Sequence, residues 1–209
     1  FGKQKNIGAL HLELKAQQQA RNWDGVLAVV AQLEKRSAID LNIATQMRLQ
    51  AWLEKMKAQP DDLKSLQALW KSIPDEFKKR AKIAALAANN FIQLKDCKTA
   101  QQLLTDSLNA QWDSELVALY GNCQDKNNTG QIEQAEKWLK VHSDDAGLLL
   151  ALGKLCLHRE LWGKAQSYLD ASNSLKPSRA AYTALVQLAE KLQKTDDAAK
   201  YKQLARELE

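Results

Sequence analysis

Apolar residues recur three and four positions apart along almost the whole chain, and polar or turn-forming residues break that pattern every ~12–18 residues. The pattern predicts helices over 7–20, 23–36, 40–57, 61–71, 75–94, 97–110, 114–124, 130–142, 145–158, 162–174, 179–193 and 196–208. No run alternates β-branched with polar residues, so strands are not expected. The breaks have mechanisms. In "SIPDEF", Ser72 can cap, and Pro74, Asp75 and Glu76 suit a first helical turn. "NNTG" at 127–130 is a cluster of turn formers. In "HSDDAG", Ser143, Asp144 and Asp145 offer caps to the next helix.

Short helices joined by short connections pack as antiparallel neighbours. The stretch from Leu150 to Pro177, "LALGKLCLHRELWGKAQSYLDASNSLKP", shows how. Leu149, Leu152, Gly153 and Cys156 share one face of its first helix, and Ala165, Leu169 and Ser172 share one face of its second. Gly153 and Ala165 are small where two helices must approach closely, and Pro177 ends the unit. This is the grammar of the tetratricopeptide repeat, a helix-turn-helix of ~34 residues. The expected fold is all α, a right-handed superhelix of antiparallel helix pairs. It is read as a single tetratricopeptide-like domain over 1–209. Better repeats span 74–110, 145–177 and 179–209, degenerate ones 1–37 and 113–143, and inserted helices 38–71.

Stacked pairs share a core and expose a concave surface lined by the first helix of each. Helical periodicity assigns to that surface Leu150, Lys154, Leu157 and His158, then Lys82, Ala85, Asn89 and Gln93, then Thr183, Gln187 and Lys191. Lys82, Asn89, Leu150, Lys154, Leu157 and His158 are the candidate binding residues, set against the plainer account that each is an ordinary exposed helix residue. A surface of this kind holds an extended peptide or another protein.

Composition narrows the function. The net charge is +5, with acids and bases interspersed as on solvated helix faces. No aromatics interleave with the basic residues, so nucleic acid is not an expected partner. The run Lys78, Lys79, Arg80 and Lys82 can meet acidic headgroups or pair with Asp75 and Glu76 within its own helix. Cys97, Cys123 and Cys156 show no CxxC spacing, which argues against a disulfide framework or a zinc site and favours a reducing compartment. Cys156 falls on the repeat core. His158, two residues on, lies ~200° around the helix from it, so the two cannot share a ligand. His158 faces the groove, either as a solvated helix-end residue or as a contact for haem iron. The six tryptophans read as packing anchors. No pocket cluster of catalytic groups is visible, so an enzyme is not expected. No signal peptide is expected, and the apolar run around 147–157 is too short to span a bilayer. The chain begins with Phe rather than Met and is read as a fragment.

The order of motifs resembles one family. "RNWDGV" is followed by "MRLQAWLEKM", "LWKSIPDEFKKR" and "AALAANNFIQLKDCKTAQQLL", then by "KNNTGQIEQAEKWL" and "LLLALGKLCLHRELWGKAQSYL". The series resembles the C-terminal region of the HemY proteins, tetratricopeptide-repeat membrane proteins linked to haem biosynthesis in proteobacteria. Trp52, Trp70 and the basic "KKRAK" carry the more specific part of the likeness. The resemblance implies an N-terminal two-helix anchor in the bacterial inner membrane, missing from this stretch, and repeats on the cytoplasmic face. It implies a protein-interaction scaffold in late protohaem biosynthesis, with haem-pathway enzymes as partners and no resident cofactor. The alternative is a haem or porphyrin carrier using the groove. The flavin-dependent oxidases that share the family name need a glycine-rich dinucleotide fingerprint, which this chain lacks.

Overall fold

Most helices of this protein begin where a side chain can answer the unpaired N–H groups of a first turn. Asn6, Asn22, Asp40, Asp62, Asp96, Asp113, Asp145 and Ser178 each accept a hydrogen bond from a backbone N–H two or three residues on. The computed structural model describes residues 6–58, 62–123 and 130–208, and among these there is no strand. The elements are α1 (Ile7–Gln19), α2 (Trp23–Lys35), α3 (Leu41–Lys57), α4 (Leu63–Ser72), α5 (Asp75–Lys78), α6 (Ala81–Gln93), α7 (Cys97–Ala110), α8 (Ser114–Tyr120), α9 (Gly130–Leu139), α10 (Ala146–His158), α11 (Trp162–Leu175), α12 (Arg179–Lys191) and α13 (Thr195–Arg206).

The helix expected over 75–94 is two. At Arg80 the ladder tightens: its N–H bonds Phe77 O and its own carbonyl accepts from Ile83 N, both three residues apart, so a single turn ends and α6 begins afresh. The helix expected over 114–124 stops at Tyr120, and that over 130–142 stops at Leu139. Most of the turn cluster at 127–130 and the start of the helix expected at 61 lie outside the described residues.

Four helix pairs turn in the same way. After α1, α6, α10 and α12 the chain places a non-glycine residue at positive φ: Arg21, Lys95, Glu160 and Gln193. The next N–H reaches back five residues, Asn22 to Gln17 O, Asp96 to Phe91 O, Leu161 to Cys156 O and Lys194 to Ala189 O. This is the Schellman closure, and it satisfies carbonyls that a helix end leaves open. The residue that closes one helix is also the N-cap of the next, so each turn is as short as a helical hairpin allows. Neighbouring helices pack in pairs, with α1 on α2, α10 on α11 and α12 on α13.

The chain forms two compact units, Phe1–Asn90 and Phe91–Glu209, divided within α6. In the first, Leu10 and Leu14 of α1, Val26, Val29, Val30 and Leu33 of α2, and Ala44 and Ala51 of α3 form one core. Asn90, itself buried, donates its amide N–H to Met56 O at 2.9 Å. In the second unit, α10 is buried on nearly every side and touches α8, α9, α11 and α12. Its core joins Leu150 and Cys156 to Ala165 and Leu169 of α11 and to Ala181, Ala184, Leu185 and Leu188 of α12. Gly153 allows the close crossing: a Cβ there would meet Leu169 Cδ2 at 2.5 Å. Gly121 does the same for α8, since its Cβ would lie 2.6 Å from Ala151 Cα.

The cysteines correct the reading from sequence. Cys97 and Cys123 form a disulfide, with Cα atoms 5.3 Å apart. They stand 26 residues apart. The packing of α8 on α7 brings the residue beyond α8 back to the start of α7. Cys156 is free and buried, in the core position expected for it.

Candidate functional site

α10 carries a long apolar run, yet Lys154, Leu157 and His158 are only half-buried. They stand three and four residues apart and so share one face, near the helix's C-terminal end. The helix starts firmly. Asp145 accepts from Leu148 N at 2.9 Å, from Trp112 Nε1 at 2.8 Å and from Ser114 Oγ at 2.7 Å. Burial opposes ionisation of Asp145, but these hydrogen bonds outweigh it and hold its carboxyl below the usual range.

α12 supplies the facing wall. Ser178 Oγ accepts from Ala181 N, and the apolar face of α12 turns into the core. The opposite face, with Arg179, Thr183, Gln187 and Lys191 at helical spacing, lines two open clefts. One cleft, of about 620 Å³, has Asn122, Lys154 and Leu157 on one side and Arg179, Ala180, Thr183, Ala184 and Gln187 on the other. The second, of about 570 Å³, is bounded by Leu157, His158, Glu160, Trp162, Gln187, Glu190 and Lys191. Leu157 and Gln187 belong to both, so the clefts adjoin as one groove.

The candidate residues divide. Lys154, Leu157 and His158 meet in this groove with Thr183, Gln187 and Lys191. Leu150 does not: it is 6% exposed and packs in the core with α11 and α12 residues, which corrects its assignment to the lining. Lys82 is exposed and Asn89 half-buried on α6, both in the first unit. His158 is not a solvated helix-end residue either. It is half-buried, and its Nε2 is shielded from solvent without a hydrogen-bond partner. Lys154 Nζ donates to Asn122 Oδ1 at 2.7 Å, and burial holds its pKa below the usual lysine range.

The remaining candidates have local explanations. Lys78 pairs with Asp75 at 3.0 Å, three residues away, and lies over the Trp70 ring. Burial pushes the Cys156 thiol up to about 11, so it stays protonated near neutrality. Trp112 stacks on His142 with ring centres 3.7 Å apart and meets Trp138 edge-on at 5.7 Å. Tyr120 closes on Trp138 at 5.1 Å, and burial raises its pKa to about 12. This aromatic group anchors α8, α9 and the entry to α10. Among the described residues no group of His, Cys, Asp and Glu could hold a metal ion, and no helix is long and apolar enough to cross a membrane.

No family model matches the chain. It is similar to curated HemY proteins: it is 25% identical over 183 residues to Protein HemY of Escherichia coli K12, an alignment covering 85% of this chain and 45% of that protein. Protein HemY of Shigella flexneri aligns to the same extent. The chain thus spans less than half the length of these curated relatives.

Proposed function

We propose that this chain is the helical-repeat part of a HemY-like protein anchored in a bacterial inner membrane, and that it works as a non-catalytic scaffold. Its groove along α10 and α12 holds a segment of a partner protein. The observation that carries this reading is the continuity of the two clefts through Leu157 and Gln187. A trough shared by consecutive first helices has the form in which repeat proteins take an extended chain. The recurring Schellman turn supports a stack of equivalent pairs, the tetratricopeptide-like superhelix. The similarity to HemY supports a setting in haem biosynthesis, and the partners in this reading are enzymes of its late steps.

The anchor and its basic flank, both implied by the family, favour the cytoplasmic face. The Cys97–Cys123 disulfide favours the opposite, oxidising face, since such bonds persist where thiols are not kept reduced. Photo-crosslinking tests the function: a photoreactive residue at Gln187 of the full-length protein, in membranes, should label a haem-pathway enzyme. The same labelling from Gln102, exposed on α7 away from the groove, would sink the reading.

A further inference from the structure

Three residues that follow α8 tie the groove to the disulfide. Gly121 and Cys123 are buried, and Asn122 between them is exposed. Gly121 lies so close to α10 that a Cβ there would meet Ala151 Cα at 2.6 Å. Asn122 forms part of the first cleft's wall, where its Oδ1 accepts from Lys154 Nζ at 2.7 Å. Cys123 is bonded to Cys97 at the start of α7. We propose that this disulfide is a redox latch on the groove. Oxidised, it fixes Asn122 in the wall beside Lys154; reduced, it lets that wall slacken and weakens the groove's hold on its occupant. The proposal rests on the peptide-holding reading above and adds its regulation.

Cys123 is fully shielded from solvent, and a close-packed interior leaves its sulfur little freedom. While the bond stands, that sulfur holds the Cys123 backbone to α7, and the peptide link passes the restraint to Asn122 one residue away. Two thiols need more room than a disulfide, because sulfurs that shared a bond must part to van der Waals contact. Either the Cys97 side chain swings outward or the segment 121–123 gives way, and in both cases Asn122 is no longer tethered to α7. The fold outlasts the change. Cys123 O accepts from Gln131 Nε2 at 2.9 Å and from Gln101 Nε2 at 3.5 Å, both on buried side chains. These bonds need no sulfur, so α7 and α9 stay clasped to the segment and the disulfide can re-form in place. Access decides the chemistry. Cys97 is half-buried and Cys123 is not exposed, so an incoming thiolate attacks Cys97 Sγ. The S–S bond breaks, and Cys123 Sγ leaves with the electron pair and takes up a proton. The reductant is a dithiol, such as the paired cysteines of a protein oxidoreductase. Its second thiol attacks its own sulfur in the mixed disulfide and releases Cys97. Two electrons pass from the dithiol, its two protons end on Cys97 and Cys123, and it becomes a disulfide. A protein disulfide of the same class reverses the exchange.

Amide hydrogen exchange of the whole chain, read residue by residue with and without a dithiol reductant, tests the latch. The Asn122 N–H donates to Leu119 O at 2.9 Å at an exposed position, so it exchanges by local opening. Reduction should speed it about tenfold or more. The Gln193 N–H, exposed in the turn after α12, should keep its rate. A bond that only stabilises the fold would leave both rates unchanged, since lost stability speeds only the amides that wait for the whole molecule to open. Cys97→Ser should show the fast Asn122 rate without reductant. In the full-length protein in membranes, partner labelling from a photoreactive residue at Gln187 should fall in Cys97→Ser, with no reductant present to act on the partner. Asn122→Ala should label at that lower level with its disulfide intact. An Asn122 rate that ignores reduction, or equal labelling by the parent and Cys97→Ser, would overturn the latch. The expected exchange with no labelling from Gln187 in any form would leave the redox response of the wall standing and sink the peptide-holding reading instead.

Discussion

At Gln193 the backbone has a φ of 57°, a conformation that costs an L side chain about 1–2 kcal/mol and glycine almost nothing. Arg21, Ser37, Lys95 and Glu160 share that geometry, and none is glycine. For this reason the form of the pair turns, though not their place, was hidden in the sequence: the usual mark of a Schellman closure is a glycine, and here the role falls to polar residues. Gln193→Gly should therefore stabilise the protein. Part of the gain is cancelled because glycine loosens the unfolded chain, which leaves about 0.5 kcal/mol. A urea titration reads it as a higher midpoint at unchanged slope. A lower midpoint would show that the Gln193 side chain contributes more than its strain. Leu150 teaches the converse. It shares a helical face with Lys154 and Leu157, so periodicity grouped them, but periodicity gives direction and not depth. Leu150 lies in the core among residues of α11 and α12 while Lys154 and Leu157 stand half-buried at the groove, and that difference lies in packing between helices rather than within one.

Helices were the most legible elements, because most carry their own cap and an apolar face. α7 was predicted over 97–110, the span it occupies, with Asp96 ahead of it accepting from Thr99 N. The break between α5 and α6 was not legible, since neither glycine nor proline marks it and only the local tightening at Arg80 makes it. Nor was the Cys97–Cys123 bond, which depends on α8 folding back along α7. Its contribution follows from the chain it closes. Tying residues 26 apart removes unfolded-state entropy equivalent to about 3 kcal/mol. Reducing agent should lower the unfolding free energy read from a urea titration by that order. Alkylation in denaturant without reductant should modify only Cys156, and after reduction all three cysteines. Three modified thiols without reductant would refute the bond and restore the reducing compartment as the simpler home.

Across the whole molecule, the choice between protein scaffold and haem carrier comes down to which side chain could bind iron. Three histidines and one free thiol are available. The Cys156 thiol is buried and raised to about 11, unsuited to binding as a thiolate near neutrality. His11 is exposed on α1. His142 lies face to face with Trp112 at 3.7 Å, so one side of its ring is already covered. His158 alone stands at the groove, and its Nε2 is shut away from solvent. A haem face needs an apolar slot, whereas this groove is open and its walls alternate Lys154, Thr183, Gln187, Glu190 and Lys191 with a few apolar side chains. Titrating haem into the purified chain should therefore give no saturable Soret shift that depends on His158, and His158→Ala should behave as the parent does. Because Nε2 has no hydrogen bond to lose, that substitution should also leave the fold intact, so its result can be read directly. A saturable band that disappears in His158→Ala would make the groove a haem site and displace the scaffold reading. A groove that ignores haem yet labels a partner protein from Gln187 would instead be a protein-holding surface.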